Sequence, residues 1–147
     1  MTIQRCQAYK IQEICVYLRP KKAFLRGRVM LKEHLEFFKL DLSSGWENPP
    51  GYPPEIQQKI ITGHLDEKAK RGSRTRLLRF QPGAFTTQPF VHDYWEEVFQ
   101  ISGDMTVGGK TFGPMTYACR PPGAPHGPFS SKGGCLLYEI HYFDHCA

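Results

Sequence analysis

The sequence lacks any long apolar run. No segment approaches the roughly 20 consecutive apolar residues that a membrane-spanning helix needs. The first residues, MTIQRCQAYKIQEICVYLRPKK, also lack the continuous apolar stretch of a secretory signal peptide. We therefore expect a soluble, cytoplasmic protein that makes no contact with a membrane.

The sequence has no cysteine pairs at motif spacing, and this argues against two further classes of protein. The chain has 5 cysteines, an odd number, and no two of them form a CxxC pair. A disulfide framework or a zinc–thiolate site would need paired or regularly spaced cysteines. The cysteines are therefore expected to be reduced thiols.

The charge is basic but carries no nucleic-acid signature. The 147 residues have a net charge of +5, and the excess is concentrated around residues 21–28 and 68–79. No nucleic-acid-binding motif accompanies these clusters. They are expected to form solvated faces, although one or two of the arginines could bind an anionic small substrate.

Glycine, proline and aromatic residues are plentiful, which is typical of strands joined by tight turns. Gly108-Gly109 between two short segments predicts a hairpin. Weak helical signals in residues 54–63 and 64–70 predict one or two helical turns each. The predicted strands are residues 75–80, 91–101, 105–107, 110–112, 116–120 and 135–143. This pattern favours an all-β sandwich or barrel with a few short helical turns.

The chain length suits one domain. Residues 1–33 differ from the rest, since they carry many charges and few turn signals. They predict an N-terminal arm, either strand or helix, that could form a dimer interface. Residues 34–147 predict a single domain. Because open-edged β-domains commonly pair, we expect a homodimer.

The segment FVHDYWEEVFQ carries the first chemical signal. In a strand, successive side chains alternate between two faces, so His92, Tyr94 and Glu96 share one face. Glu97 points the other way and is expected to be a solvent or interface charge. An imidazole and a carboxylate four residues apart would then face the same interior.

The segment CRPPGAPHGPF carries the second signal. Its prolines restrict the backbone around His126, so the imidazole has little conformational entropy left to lose on binding. Two imidazoles and one carboxylate suit a divalent metal ion and leave positions open for substrate, water or dioxygen. We therefore predict that His92, Glu96 and His126 bind one metal ion.

These two segments resemble the two motifs of the cupin superfamily. Gly83 opens the first motif, His92 stands at its second histidine, Glu96 follows three residues later and Gly103 closes it. The second motif, Pro-x-Gly-x-x-His, matches PPGAPH and ends at His126. The resemblance implies a double-stranded β-helix, or jelly-roll barrel, with the metal inside. The segments RTRLLRFQPGA and YACRPPGAPHGPF are similar to sequences of the ChrR-like branch of the superfamily, which includes small dioxygenases.

Two positions depart from the cupin pattern. Phe90 stands where the family has its first histidine, and Ser130 stands at the expected asparagine. A fourth ligand could be Gln88, Tyr94, His141 or water. The resemblance implies that the bound ion is iron, and zinc, manganese and nickel are the alternatives.

Three more residues are candidates for contacting the substrate. Tyr94 could donate a proton or simply pack as a ring. Arg79 presents a planar fork of donors that could orient a substrate oxygen or form a structural ion pair. Tyr117 could contact substrate or belong to the core. His34, His64 and His145 have no supporting neighbours, and no role is predicted for them.

Three functions fit these predictions. The first is a metal-dependent, Fe(II)-type dioxygenase that acts on a small oxygen-rich or aromatic, diketone-like substrate. The second is a lyase, isomerase or cyclase that uses the same pocket without dioxygen. The third is a non-catalytic sensor module that binds a metal or ligand.

Overall fold

The computed structural model describes residues 32–144. The predicted N-terminal arm, residues 1–33, therefore lies outside the described residues except for its last two positions. The structure contains one chain, so the homodimer stays a prediction. Of the cysteines in the described part of the chain, Cys119 is exposed and Cys135 is buried, and both are free thiols.

The described residues form eight strands and no helix. The strands are β1 (Ile56–Asp66), β2 (Arg71–Phe80), β3 (Trp95–Gly103), β4 (Met105–Val107), β5 (Lys110–Phe112), β6 (Tyr117–Arg120), β7 (Phe129–Ser130) and β8 (Cys135–Tyr142). The all-β prediction is confirmed. Within residues 32–144, no helix is long and apolar enough to cross a membrane.

The two predicted helical turns are wrong. Residues 54–63 and 64–70 instead contain the whole of β1 and the turn that follows it. The β-branched run Ile60-Ile61-Thr62 disfavours a helix, and β2 offers β1 an antiparallel partner along almost its whole length. Pairing across the sheet thus overrides the weak local preference.

The strands form two antiparallel sheets. One sheet has five strands in the order β1-β2-β8-β3-β6, and the other has three in the order β5-β4-β7. Strands β2, β8 and β3 are distant in sequence but adjacent in the sheet, as expected for a jelly roll rather than a meander. Single bridges, such as Phe85 with Ser130, extend the pairing beyond the named strands.

The apolar core lies between the sheets, towards one end of the barrel. Its buried residues are Ile56, Leu78, Phe80, Ala84, Val98, Met105, Cys135 and Leu137. The side chains of β8 alternate strictly, with Cys135 and Leu137 buried and Leu136 and Tyr138 half-buried. The same inward face of β8 carries Glu139 and His141 further along the strand. The polar part of the interior is therefore adjacent to the apolar part.

Glycines with positive φ occur at two turns, one between β4 and β5 and the other at the end of β3. Gly108 and Gly109 have φ of 58° and 75° and join Val107 to Lys110, which confirms the predicted two-residue hairpin. Gly103 has φ of 79°, and a Cβ there would lie 1.9 Å from the carbonyl oxygen of Gly134. Only glycine therefore fits at the end of β3.

Candidate metal centre

Strand β3 presents Glu96 to the barrel interior. Tyr94, Glu96, Val98 and Gln100 are buried, whereas the residues between them are half-buried. The predicted alternation is thus confirmed, although β3 begins only at Trp95. His92 lies just before the strand, with a side chain that is 11% exposed.

The proline-rich loop is fastened to the segment that carries His92. The amide of Phe90 donates to the carbonyl of His126 (2.8 Å), and the amide of His126 donates back to the carbonyl of Phe90 (3.0 Å). Gly123 also donates its amide to the carbonyl of His92 (2.8 Å). These three bonds bring together two histidines that are 34 positions apart in the sequence.

Both histidines are held in the tautomer that binds metals through Nε2. The Nδ1 of His92 lies 2.8 Å from the carbonyl oxygen of Tyr94, and the Nδ1 of His126 lies 2.9 Å from that of Ala124. A carbonyl oxygen can only accept, so Nδ1 carries the hydrogen in each ring and Nε2 carries the lone pair. The Nε2 of His92 is buried and has no hydrogen-bond partner.

These lone pairs converge on one carboxylate oxygen. The Oε2 of Glu96 lies 3.5 Å from Nε2 of His92 and 3.3 Å from Nε2 of His126. All three atoms lie within 4.8 Å of one another. Burial lowers the pKa of His126, which keeps its imidazole neutral. The donor set therefore fits a divalent ion, with Nδ1 of each histidine fixed by a backbone carbonyl.

His141 supports Glu96 from the opposite side but is held in a different tautomer. Arg74 lies 2.8 Å from its Nδ1 through Nη2 and donates to it through Nε at 3.1 Å. Because a guanidinium only donates, Nδ1 accepts and Nε2 carries the hydrogen. That Nε2 lies 3.3 Å from Oε1 of Glu96, so His141 donates to the carboxylate instead of offering it a lone pair.

Arg120 is the closest cation to Glu96. The two residues are paired across β3 and β6, and Nη1 of Arg120 donates to Oε2 of Glu96 at 2.7 Å. Burial by itself would raise the pKa of Glu96. The hydrogen bond from His141 and the charge of Arg120 outweigh it, so that the pKa lies well below its usual range. Glu96 is therefore ionised.

A second ion pair lies beside this cluster. Arg76 donates through Nε to Oε2 of Glu139 (2.6 Å) and through Nη1 to Gln58 (2.7 Å), and both charged side chains are buried. Burial would lower the pKa of Arg76, but the charge of Glu139 raises it above its ordinary value. The solvated face predicted for the basic cluster is thus wrong for Arg76, because its alternation in β2 turns it into the barrel.

The acidic group formed by Glu96, Glu139 and His141 also has ligand atoms within 4.8 Å of one another. It does not offer a second metal site. Arg76 already pairs with Glu139, and Arg74 holds His141 in the wrong tautomer for coordination through Nε2. Within this group, His141 instead holds the carboxylate of Glu96 in place by a hydrogen bond.

A cavity of about 180 Å³ opens beside the cluster. Glu96, His126 and Arg120 line its polar end. Its remaining wall is largely apolar and includes Leu78, Phe80, Val98, Met105, Phe129 and Leu137. An engineered apolar cavity of about 150 Å³ accommodates benzene, so this space suits a molecule of roughly one ring.

The candidates for a fourth ligand do not join the three-residue cluster. Gln88 is exposed and lines a separate groove. Phe90, at the position of the missing histidine, stacks on Tyr52 with 4.7 Å between ring centroids and lies 6.2 Å from the ring of His126. An aromatic pair thus occupies the place where the cupin motif has a histidine.

The three candidate substrate contacts lie in three different places. Tyr94 stacks on His92 with centroids 3.9 Å apart, and it is not among the residues that line the cavity within the described chain. Arg79 lies over the ring of Trp46 at 4.0 Å and donates to Gln57. Tyr117 lines the cavity, although its hydroxyl donates to Glu97 on the outer face of the sheet. Tyr94 thus contacts the candidate ligand His92, whereas Tyr117 borders the cavity.

Comparison with solved structures places this architecture among the cupins. An RmlC-like cupin from Shewanella frigidimarina NCIMB 400 has a TM-score of 0.56 and 16% identity, covering 80% of this chain and 97% of that one. An acetylacetone dioxygenase from Acinetobacter johnsonii has a TM-score of 0.55 and 19% identity, covering 76% and 77%. The polyketide cyclase RemF from Streptomyces resistomycificus has a TM-score of 0.54 and 16% identity, covering 77% and 83%.

These likenesses establish the fold. The chain has the cupin fold, a double-stranded β-helix, as its two motifs predict. No family model matches the sequence, and no curated protein matches it either.

The sequence-based predictions did not identify Arg120, Arg74 and Arg76 as residues whose side chains reach the interior. A signal was available for Arg120, since it directly precedes the proline motif at the end of a strand. Arg74 and Arg76 alternate with Thr75 and Leu77 in β2, but both sets contain residues that could face inwards. Only the pairing with β8 shows which set faces Glu139 and His141.

Proposed function

We propose that this chain is a metal-dependent enzyme, an Fe(II)-type oxygenase that acts on a small oxygen-rich, diketone-like or aromatic substrate. The observation that carries this proposal is the convergence of two Nε2 lone pairs, on His92 and His126, upon the carboxylate of Glu96. A buried imidazole nitrogen without a partner is costly unless something binds it. The similarity in fold to an acetylacetone dioxygenase supports the same class of reaction.

When bound, an ion of this kind supplies Lewis-acid and one-electron redox chemistry next to the substrate. The chain's own residues prepare the pocket. His141 holds Oε1 of Glu96, and Tyr94 fixes the plane of the His92 ring by stacking. The apolar wall formed by residues such as Val98 and Leu137 keeps water away from the substrate.

Metal content tests the site directly. The protein is purified without a metal-affinity tag, and bound metals are measured by elemental analysis in the wild type and in His92→Ala and His126→Ala. His64→Ala is the matched control, because His64 is exposed on β1. We expect about one ion per chain in the wild type and the control, and a large loss in the two ligand variants. Equal metal content in all four proteins would refute the site.

Oxygen consumption tests the reaction. Protein loaded with Fe(II) under anaerobic conditions is mixed with oxygenated buffer and a panel of β-diketones and hydroxyaromatic compounds. We expect oxygen uptake with at least one member of the panel and none with the His92→Ala variant. Full metal occupancy without oxygen uptake on a broad panel would contradict the oxygenase proposal while leaving the metal site intact.

A lyase, isomerase or cyclase is the second candidate, and one observation favours it. The interior charges are already balanced without a metal, since Arg76 pairs with Glu139 and Arg120 pairs with Glu96. A pocket of this kind can bind and reorient a substrate by acid–base groups alone. Product formation that is equally fast with and without oxygen would select this candidate over the oxygenase.

A further inference from the structure

Arg120 occupies the carboxylate oxygen that faces the two histidines. Its Nη1 lies 2.7 Å from Oε2 of Glu96, and the same oxygen is the one nearest to Nε2 of both His92 and His126. The other oxygen, Oε1, is engaged by His141. An ion bound by the two histidines would therefore need the atom that Arg120 holds.

The surroundings of Arg120 allow its guanidinium to bind a second partner in the cavity. Its side chain is 18% exposed, lies on the edge strand β6, and lines the cavity. Its guanidinium carbon lies 5.2 Å from the ring centroid of Phe129, which supports the planar group without using its donors. A guanidinium has five N–H donors, and the bond to Oε2 of Glu96 uses one of them.

The charges in the cavity indicate what that partner would be. Arg76 and Glu139 satisfy each other, so the pair that can rearrange is Arg120 with Glu96. A divalent ion on Glu96 would add two positive charges to a balanced interior. An anionic oxygen group on the ligand would offset this excess, and the apolar wall leaves Arg120 as the charged donor on the cavity lining.

We propose that Arg120 is an exchangeable counter-ion: it neutralises Glu96 in the metal-free protein and forms an anion subsite once a metal takes over Glu96. The ligand class is then an apolar molecule of about one ring that bears a single carboxylate or enolate. This inference rests on the proposed metal site and names the substrate class of that same pocket.

The first experiment measures competition between Arg120 and the metal. Zn²⁺ is titrated against a chromophoric chelator with the wild type, Arg120→Gln, Arg120→Lys and the control Arg71→Gln. Arg71 is a surface residue whose side chain is 54% exposed. Removing a cation beside the ion relieves like-charge repulsion, so Arg120→Gln is expected to bind Zn²⁺ about tenfold more tightly. Arg120→Lys and Arg71→Gln are expected to stay close to the wild type.

The second experiment measures the anion subsite. Benzoate and its uncharged isostere benzamide are titrated calorimetrically into each Zn²⁺-loaded protein. The wild type, Arg120→Lys and Arg71→Gln are expected to prefer benzoate by about tenfold or more, because a charged partner is available in the cavity. In Arg120→Gln the preference is expected to fall to the part that the ion alone provides. Circular dichroism confirms that each variant is folded.

The two readouts separate this inference from the function on which it rests. An Arg120→Gln variant that binds Zn²⁺ no more tightly than the wild type, or that keeps the full preference for benzoate, would overturn the role of Arg120 while the metal site stands. Absence of Zn²⁺ binding in all four proteins would overturn both. Tighter Zn²⁺ binding together with a reduced preference for benzoate is the result that supports the proposal.

Discussion

Arg74 fixes the tautomer of His141. Its guanidinium lies 2.8 Å from Nδ1 of the imidazole, which forces the hydrogen onto Nε2 and points it at Glu96, 3.3 Å away. His141 is therefore a hydrogen-bond donor to the proposed metal ligand Glu96, whereas His92 and His126 present lone pairs. Three histidines meet at one carboxylate, and their partners on the far side of each ring decide which of them can coordinate.

This relationship makes His141→Ala different from a ligand variant. X-ray absorption spectra of the metal-loaded proteins are expected to show the same number of histidine ligands in wild type and His141→Ala, and one fewer in His126→Ala. Loss of the donor to Glu96 should still weaken metal binding by about 10–100-fold, as for other supporting residues. Loss of a histidine signal in His141→Ala would mean that its tautomer changes on metal binding.

Phe90→His is expected to add a ligand at the position where the cupin motif has its first histidine. The ring of Phe90 lies 6.2 Å from that of His126, and their backbones are joined by two hydrogen bonds. An added imidazole should tighten Zn²⁺ binding by about tenfold or more, because it contributes a further ligand from a fixed backbone. Chelator competition measures this. Phe90→Leu controls for the loss of stacking on Tyr52 and should leave the affinity close to that of wild type.

The buried pair Arg76–Glu139 should dominate the stability of the polar interior. Glu139→Gln leaves a buried guanidinium without its counter-charge, and the free energy of unfolding should fall by about 3–5 kcal/mol. Urea unfolding measures the change. The control is Arg71→Gln, which removes an exposed pair with Asp66 and should cost less than about 1 kcal/mol. Comparable losses in both variants would show that burial does not decide the energetics here.

Gly103→Ala should be much more harmful than Gly109→Ala. Both glycines have positive φ, so alanine costs about 1–2 kcal/mol of backbone strain at either site. At Gly103 the new Cβ would also lie 1.9 Å from the Gly134 carbonyl oxygen, whereas at Gly109 nothing lies within 4 Å. Thermal unfolding is expected to show a much larger decrease in Tm for Gly103→Ala than for Gly109→Ala. Equal shifts would contradict the steric argument.

Acid should destabilise the protein through its interior carboxylates. Burial by itself would raise the pKa of Glu96 and of Glu139. Their hydrogen-bonding and cationic neighbours outweigh burial and hold both pKa values below the ordinary value. The unfolded chain therefore binds more protons once the pH falls below about 4.3, the usual pKa of glutamate, and stability is lost progressively from there downwards. The lowered pKa of His126 acts in the same direction from about pH 6.5.

Urea unfolding at several pH values tests this dependence. The wild type should lose stability on acidification from about pH 6.5 and more steeply below about pH 4.3, and Glu96→Gln should show a shallower slope in the lower range because one titrating group is gone. Glu97→Gln is the matched control, since Glu97 lies on the outer face of the same strand. An unchanged slope in Glu96→Gln would mean that Glu96 does not contribute to acid sensitivity.

Much of the fold was predictable because it depends on local signals. Glycine and proline positions separate the strands, and two-residue periodicity identified which side of β3 carries Glu96. The predicted bounds of β4 and β5 agree with the structure because a diglycine turn fixes both of them. Strand β1 was missed, because its conformation depends on pairing with β2 and not on its own composition.

The sequence by itself determined the barrel, its two motifs and the three residues proposed as metal ligands. Each of these depends on spacing along the chain or on backbone restriction at glycine and proline. Only the tertiary structure decided the tautomers of the three histidines, the burial of Arg76 and the contact between Arg120 and Glu96. Those features depend on which strands become neighbours in the sheet, since hydrogen bonds and ion pairs act over a few ångströms between residues far apart in sequence.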